Sequence, residues 1–84
     1  MDKLKNKKIL ITGGSGFIGS HITEYLLANN VSFVRVVDNL STGDINNLKP
    51  MLNKYPNLEF LYGDISNLET CRKATQGMDL ICHQ

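Results

Sequence analysis

Three glycines at steps of three, Gly13, Gly16 and Gly19, break an apolar run that has just passed through Lys8-Ile9-Leu10-Ile11-Thr12. The run is β-branched and nearly continuous, which suits a strand covered on both faces. From Phe17 to about Leu27 the pattern is helical, with Ile18, Ile22, Tyr25 and Leu26 at steps of three and four. Asn29-Asn30 ends that helix. A strand that stops at glycines and reopens as a helix makes a tight turn whose backbone no side chain shields. Gly13 permits the turn. Gly16 lacks the Cβ that would keep a diphosphate away from the backbone. Gly19, one turn into the helix, lets it pack close to the sheet. The helix N-terminus adds unpaired N–H groups and partial positive charge, which together suit an anion. The segment from Gly14 to Ser20 lacks the Lys-Ser/Thr ending of a P-loop, which argues against nucleoside-triphosphate hydrolysis.

The alternation continues. Ser32 to Val37 is a second strand, whose β-rich composition outweighs the single Arg35. Asn39 to Asp44 is rich in turn residues. Ile45 to Tyr55 is expected to be helical, either kinked at Pro50 or beginning near it, since an interior proline costs about 3 kcal/mol. Leu58 to Tyr62 is a third strand. Ser66-Asn67-Leu68-Glu69 reads as a capping box with Ser66 as N-cap. The helix it starts runs to Gln76, with Gly77 at the position after the cap. Asp79 to His83 is a fourth strand. The fold expected is α/β, a Rossmann-like doubly wound parallel sheet in its first half only: βαβαβαβ with right-handed crossovers and strand order 3-2-1-4.

A second signal supports the glycines. Asp38 ends the second strand 25 residues after Gly13, close to the distance of about 20 at which an acid binds the adenosine ribose. Its carboxylate would accept from both ribose hydroxyls and repel a 2′-phosphate. No arginine follows in Asn39-Leu40-Ser41-Thr42-Gly43. The sequence therefore favours NAD over NADP. Asp64, at the end of the third strand, could reach the adenine edge.

Composition narrows the classes. The chain has 84 residues, 42% hydrophobic and 20% charged, with a net charge of +1, so neither a disordered segment nor a nucleic-acid field is expected. Lys3, Lys5, Lys7 and Lys8 read as a solvated leader. Cys71 and Cys82 make neither a disulfide framework nor a metal set and are read as reduced thiols. The first apolar run is too short for a signal sequence or a membrane span, so no membrane partner and a cytoplasmic location are expected.

Thr12-Gly13-Gly14-Ser15-Gly16-Phe17-Ile18-Gly19-Ser20-His21 resembles the cofactor loop of extended short-chain dehydrogenases/reductases. Asp38 to Gly43 is similar to the ribose loop of their nucleotide-sugar epimerase branch. Gly63-Asp64-Ile65 and the closing Asp79 to Gln84 are similar to the family's third and fourth strand ends. Leu68-Glu69-Thr70-Cys71 with His83-Gln84 looks most like UDP-N-acetylglucosamine 4-epimerases, with UDP-glucose 4-epimerases close behind. The resemblance implies NAD as cofactor and a UDP-sugar as substrate. It implies that Phe17 and Ile18 meet the pyrophosphate through backbone N–H groups, and that Asp38 and Asn39 bind the ribose. Leu40, Ser41, Thr42 and Gly43 would close over that end. Asp64 would meet the adenine amino group, Ile65 would pack on the ring, and Gln84 would lie near the cofactor's middle. The family's reaction is a transient oxidation at sugar C4, and its catalytic Tyr-x-x-x-Lys is absent here: Tyr25, Tyr55 and Tyr62 are followed four residues on by Asn29, Glu59 and Ser66. These tyrosines, with His21 and His83, are read as structural, Tyr25 as a core or boundary residue. Residues 1–84 are thus expected to be the N-terminal part of an NAD-binding domain in a longer protein, inactive alone. The parent is expected to be a homodimer, and the isolated piece to self-associate through an exposed fourth-strand edge. A sugar-nucleotide dehydratase or decarboxylase, or a non-catalytic dinucleotide sensor, would share this first half.

Overall fold

The computed structural model describes residues 5–13, 15–40 and 43–83. The element order is β1 (Lys8–Thr12), α1 (Phe17–Ala28), β2 (Phe33–Asp38), a 3-10 turn (Ile45–Asn47), α2 (Lys49–Lys54), β3 (Leu58–Tyr62), α3 (Leu68–Thr75) and β4 (Leu80–His83). The strands form one parallel sheet in the order β3-β2-β1-β4, as the sequence predicts. Register aligns the strand ends. Thr12 sits opposite both Val37 and His83, and Asp38 opposite Tyr62. The C-terminal edge of the sheet is therefore nearly flush, and the turns leaving it meet.

Alternation divides the core. Ile9, Ile11, Val34, Val36 and Leu58 face one side and pack with Leu26, Leu27, Leu48 and Met51. Leu10 and Val37 face the other side and pack with Ala74. Thus, among the described residues, α1 and α2 cover one face and α3 the second. Ile81, across from Leu10, is left 59% exposed, and Leu80 is 41% exposed.

The buried stripe of α1 differs from the expected one. Ile18 and Tyr25 are exposed, and the inner face runs through Gly19, Ser20, Thr23, Leu26 and Leu27. Small residues let the first turns of the helix lie close to the sheet, which leaves Phe17, Ile18 and Tyr25 outward while Leu26 and Leu27 pack inward. Thr23 Oγ1 donates to the Gly19 carbonyl at 2.8 Å and Ser20 Oγ to that of Phe17 at 2.9 Å, so neither hydroxyl is buried without a partner. Pro50 sits in the first turn of α2, where a missing N–H does no harm. The helix begins near the proline, preceded by the 3-10 turn.

The N-cap of α3 is Asn67, not Ser66. Asn67 Oδ1 accepts from the N–H groups of Glu69 and Thr70. The backbone N–H of Ser66 is already taken by Asp64 Oδ1 at 2.9 Å, which shifts the helix start by one residue. At the other end Gly77 takes φ +78°, the left-handed conformation a helix stop favours.

Arg35, in the middle of β2, closes that same helix. Its Nη1 donates to the carbonyls of Lys73, Ala74 and Gln76 at 3.0–3.1 Å, and its Nε to Glu59 at 2.6 Å. A cation on the orphan carbonyls of a helix C-terminus satisfies both hydrogen bonding and the dipole. Arg35→Met should lower folding stability by about 1–2 kcal/mol, from the loss of charge-assisted bonds to carbonyls that stay in place. A urea midpoint equal to that of the wild type would contradict this.

Candidate functional site

At the C-terminal edge, β1 leaves through Gly13, whose φ of +71° is open to glycine at little cost. The Gly13 N–H donates to Val37 O at 2.9 Å, tying the turn to β2. Gly16 is the N-cap of α1 with φ −71° and ψ 172°. Among the described residues no side chain caps this helix, and no acid lies in its first turn. The 3-10 turn and α3, by contrast, are capped by Asp44 and Asn67. The mouth of α1 is thus an amide-rich surface without a side-chain acceptor of its own. Phe17 and Ile18 stand exposed at its rim, and Gly19 is buried behind it.

Beside this mouth lies a cleft of about 160 Å³. Gly13, Asp38, Asn39, Asp64 and Ile65 line it together with Thr12, Val37, Gly63 and His83. Five of the residues singled out in the sequence therefore converge. The volume is below the roughly 300–1,000 Å³ of sites that enclose a small molecule, so the cleft can take only one part of a dinucleotide. Phe17, Ile18 and Gly19 belong to the neighbouring helix mouth. Ser41, Thr42 and Gln84 lie outside the described residues.

Asp38 is already engaged. Its Oδ2 accepts from the Ser15 N–H at 3.2 Å and from the Ser15 hydroxyl, and its Oδ1 accepts from the Leu40 N–H at 3.0 Å. An ionised carboxylate offers about four acceptor directions, so a grip on two hydroxyls requires one of these bonds to yield. Leu40, whose N–H is held this way, has φ +62°, an unusual conformation for a bulky residue and one that clusters at functional sites.

Asp64 bridges two strand ends. Hydrogen bonds from Ser66, first its backbone N–H and then its hydroxyl, hold the Asp64 carboxyl below its ordinary value; desolvation opposes them and a hydrogen bond from Asn39 adds to them. The depressed value means that its contribution to stability is present above the unfolded pKa near 3.8 and lost as pH falls through the lower folded one. Asp64→Ala should therefore melt below the wild type at pH 7, with the gap closing in acid. A gap independent of pH would contradict the assignment.

Four residues take roles at the site that the sequence reading did not assign them. Ser15, inside the glycine motif, is fully buried and carries the bonds to Asp38. Its hydroxyl between glycines was the available signal. Thr12 Oγ1 and His83 Nδ1 share a hydrogen bond of 2.8 Å across β1 and β4 at the cleft floor. At Gly63 an added Cβ would lie 2.7 Å from the Thr70 methyl, so the Thr70 side chain would have to move aside for any larger residue there. The other histidine, His21, packs edge-on against Phe17 at 4.7 Å. Among the described residues no group of His, Cys, Asp or Glu could hold a metal, and no helix is long and apolar enough to cross a membrane. Among the described residues neither Cys71 nor Cys82 is in a disulfide.

A half-sheet ordered 3-2-1-4, with a glycine turn under its first helix and an acid ending its second strand, defines the Rossmann-like class of the short-chain dehydrogenases/reductases. Within it, the profile of the family described as GDP-mannose 4,6 dehydratase matches residues 10–83, and the chain belongs to that family. It is 39% identical over 77 residues to a putative UDP-glucose 4-epimerase of Methanocaldococcus jannaschii, covering 90% of this chain and 23% of that protein. The Bordetella bronchiseptica enzyme WbmF, solved in complex with NAD+ and UDP, superposes with a TM-score of 0.86 at 28% identity over 100% of this chain and 24% of its own. The UDP-N-acetylglucosamine 4-epimerase from Methanobrevibacter ruminantium, in complex with UDP-N-acetylmuramic acid, superposes with a TM-score of 0.78 at 34% identity over 95% and 24%. The chain thus spans about a quarter of the length of these relatives.

Proposed function

We propose that residues 1–84 are the first part of the NAD-binding domain of a nucleotide-sugar 4-epimerase acting on UDP-N-acetylglucosamine or UDP-glucose. The observation that carries this is at Gly16. Among the described residues, an added Cβ there would meet only the Gly13 carbonyl, at 3.6 Å, an ordinary contact. The chain's own packing has no need of a glycine at this position, so the space is available to a diphosphate approaching the backbone. In this reading Phe17 and Ile18 donate backbone N–H groups to it, with Gly13 and Gly19 shaping the turn. Asp38 and Asn39 hold the ribose, and Leu40 to Gly43 close over them. Asp64 and Ile65 meet the adenine, and Gln84 lies toward the middle of the cofactor. NAD, when bound, supplies a hydride acceptor and donor at sugar C4. The residues of this chain bind and orient it, and the proton-transferring groups belong to the rest of the protein.

A second reading, a sugar-nucleotide dehydratase, is favoured by the description of the matching family. Full-length protein incubated with UDP-N-acetylglucosamine or UDP-glucose decides between them: the C4 epimer supports the first, a 4-keto-6-deoxy sugar the second, and no product from any UDP-sugar a non-catalytic sensor. A cytoplasmic, homodimeric parent completes the proposal. The exposed Leu80 and Ile81 support self-association of the 84-residue chain in isolation, and a stable monomer in concentrated solution would count against it.

Gly16→Ala separates binding from folding. Its backbone is in a region open to any residue, so stability should hold or rise by about 0.4–1 kcal/mol. NAD+ affinity should fall at least about tenfold, a loss of about 1.4 kcal/mol. Calorimetry giving unchanged affinity would remove the diphosphate site.

A further inference from the structure

We infer that Asn47 is a positioning residue that, with Gly43, clasps the segment after β2 onto Ser15 and so fixes the glycine turn relative to the Asp38 carboxylate. Asn47 Nδ2 donates to the Ser15 carbonyl at 2.7 Å, and the Asp44 N–H donates to the same oxygen at 3.2 Å. Ser15 faces the other way with its N–H and hydroxyl, both given to Asp38. One fully buried residue is thereby gripped from the end of β2 and again from beyond the loop that leaves it. Gly43 makes the approach possible. A Cβ there would collide with the Ser15 side chain and lie 2.9 Å from Ser15 C and 3.0 Å from Gly16 N, too close to backbone for either to give way.

The clasp is rooted in the core. Asp44 caps the 3-10 turn that presents Asn47, and the next residue, Leu48, is fully buried beneath α2. Packing at Leu48 therefore sets where the Asn47 amide points, and that amide sets where the turn lies. The inference rests on the nucleotide reading above and adds a consequence to it. A ligand that spans ribose and diphosphate touches Asp38 and the turn together, and feels any slack between them. A ligand that touches only Asp38 does not.

The test uses the full-length protein with Asn47→Ala and the isosteric Asn47→Asp, which sets an acceptor against the Ser15 carbonyl. NAD+ and ADP-ribose should bind about tenfold more weakly to the alanine variant, and more weakly still to the aspartate one, while adenosine binds as before. Gly43→Ala breaks the same contact, so the Gly43→Ala/Asn47→Ala pair should be less than additive. Equal weakening of adenosine and ADP-ribose, or NAD+ affinity unchanged in both Asn47 variants, would overturn the clasp. Should the wild type bind neither NAD+ nor adenosine, the nucleotide reading fails separately. Amide hydrogen exchange then decides the clasp: faster exchange at Ser15 and Gly16 in Asn47→Ala upholds it, and an unchanged rate overturns it.

Discussion

The turn between β1 and α1 is held from behind, and among the described residues no side chain caps the helix it opens. Gly13 is tied to Val37, and Ser15 is sunk against Asp38, Asp44 and Asn47. Every one of these bonds draws the turn toward β2. None of them places a side chain on the amides that begin α1. Gly19, Ser20 and Thr23, small and buried, seat α1 against the sheet behind that mouth. In the proposed reading, an anion arriving there would meet N–H groups already oriented by the fold, at little cost in reorganisation.

Stability and the site share residues, but unequally. The face under α1 and α2 carries most of the buried apolar side chains. The face under α3 depends on Leu10, Val37, Ala74 and the Arg35 cap. The second face ends in the exposed Ile81 and Leu80 of β4. Asp38 and Asp64 contribute to both tasks, for each accepts backbone N–H bonds that shape a turn while bordering the cleft. Replacing either carboxylate therefore perturbs local structure as well as ligand contact, whereas Gly16 is free of that ambiguity.

Strand order, element type and the convergence of Gly13, Asp38, Asn39, Asp64 and Ile65 were legible because they follow from period, glycine placement and connection length. What was not legible depends on tertiary distances. The helical period marked Ile18 and Tyr25 as inward, but the sheet selects the small-residue stripe of α1 because it packs closer. The capping motif put the start of α3 at Ser66, yet Asp64 claims the Ser66 N–H first and Asn67 takes the cap. The role of Arg35 needed α3 to be folded back over β2 before three carbonyls could meet one guanidinium. The join of Asn47 to Ser15 spans 32 positions and has no local signature.

The most direct measurement is a crystal structure of the full-length protein grown with NAD+. The pyrophosphate should lie against the N–H groups at the start of α1, over Gly16, with the adenosine ribose within hydrogen-bonding distance of Asp38. A dinucleotide bound elsewhere, or a diphosphate held only by side chains away from that mouth, would contradict the account.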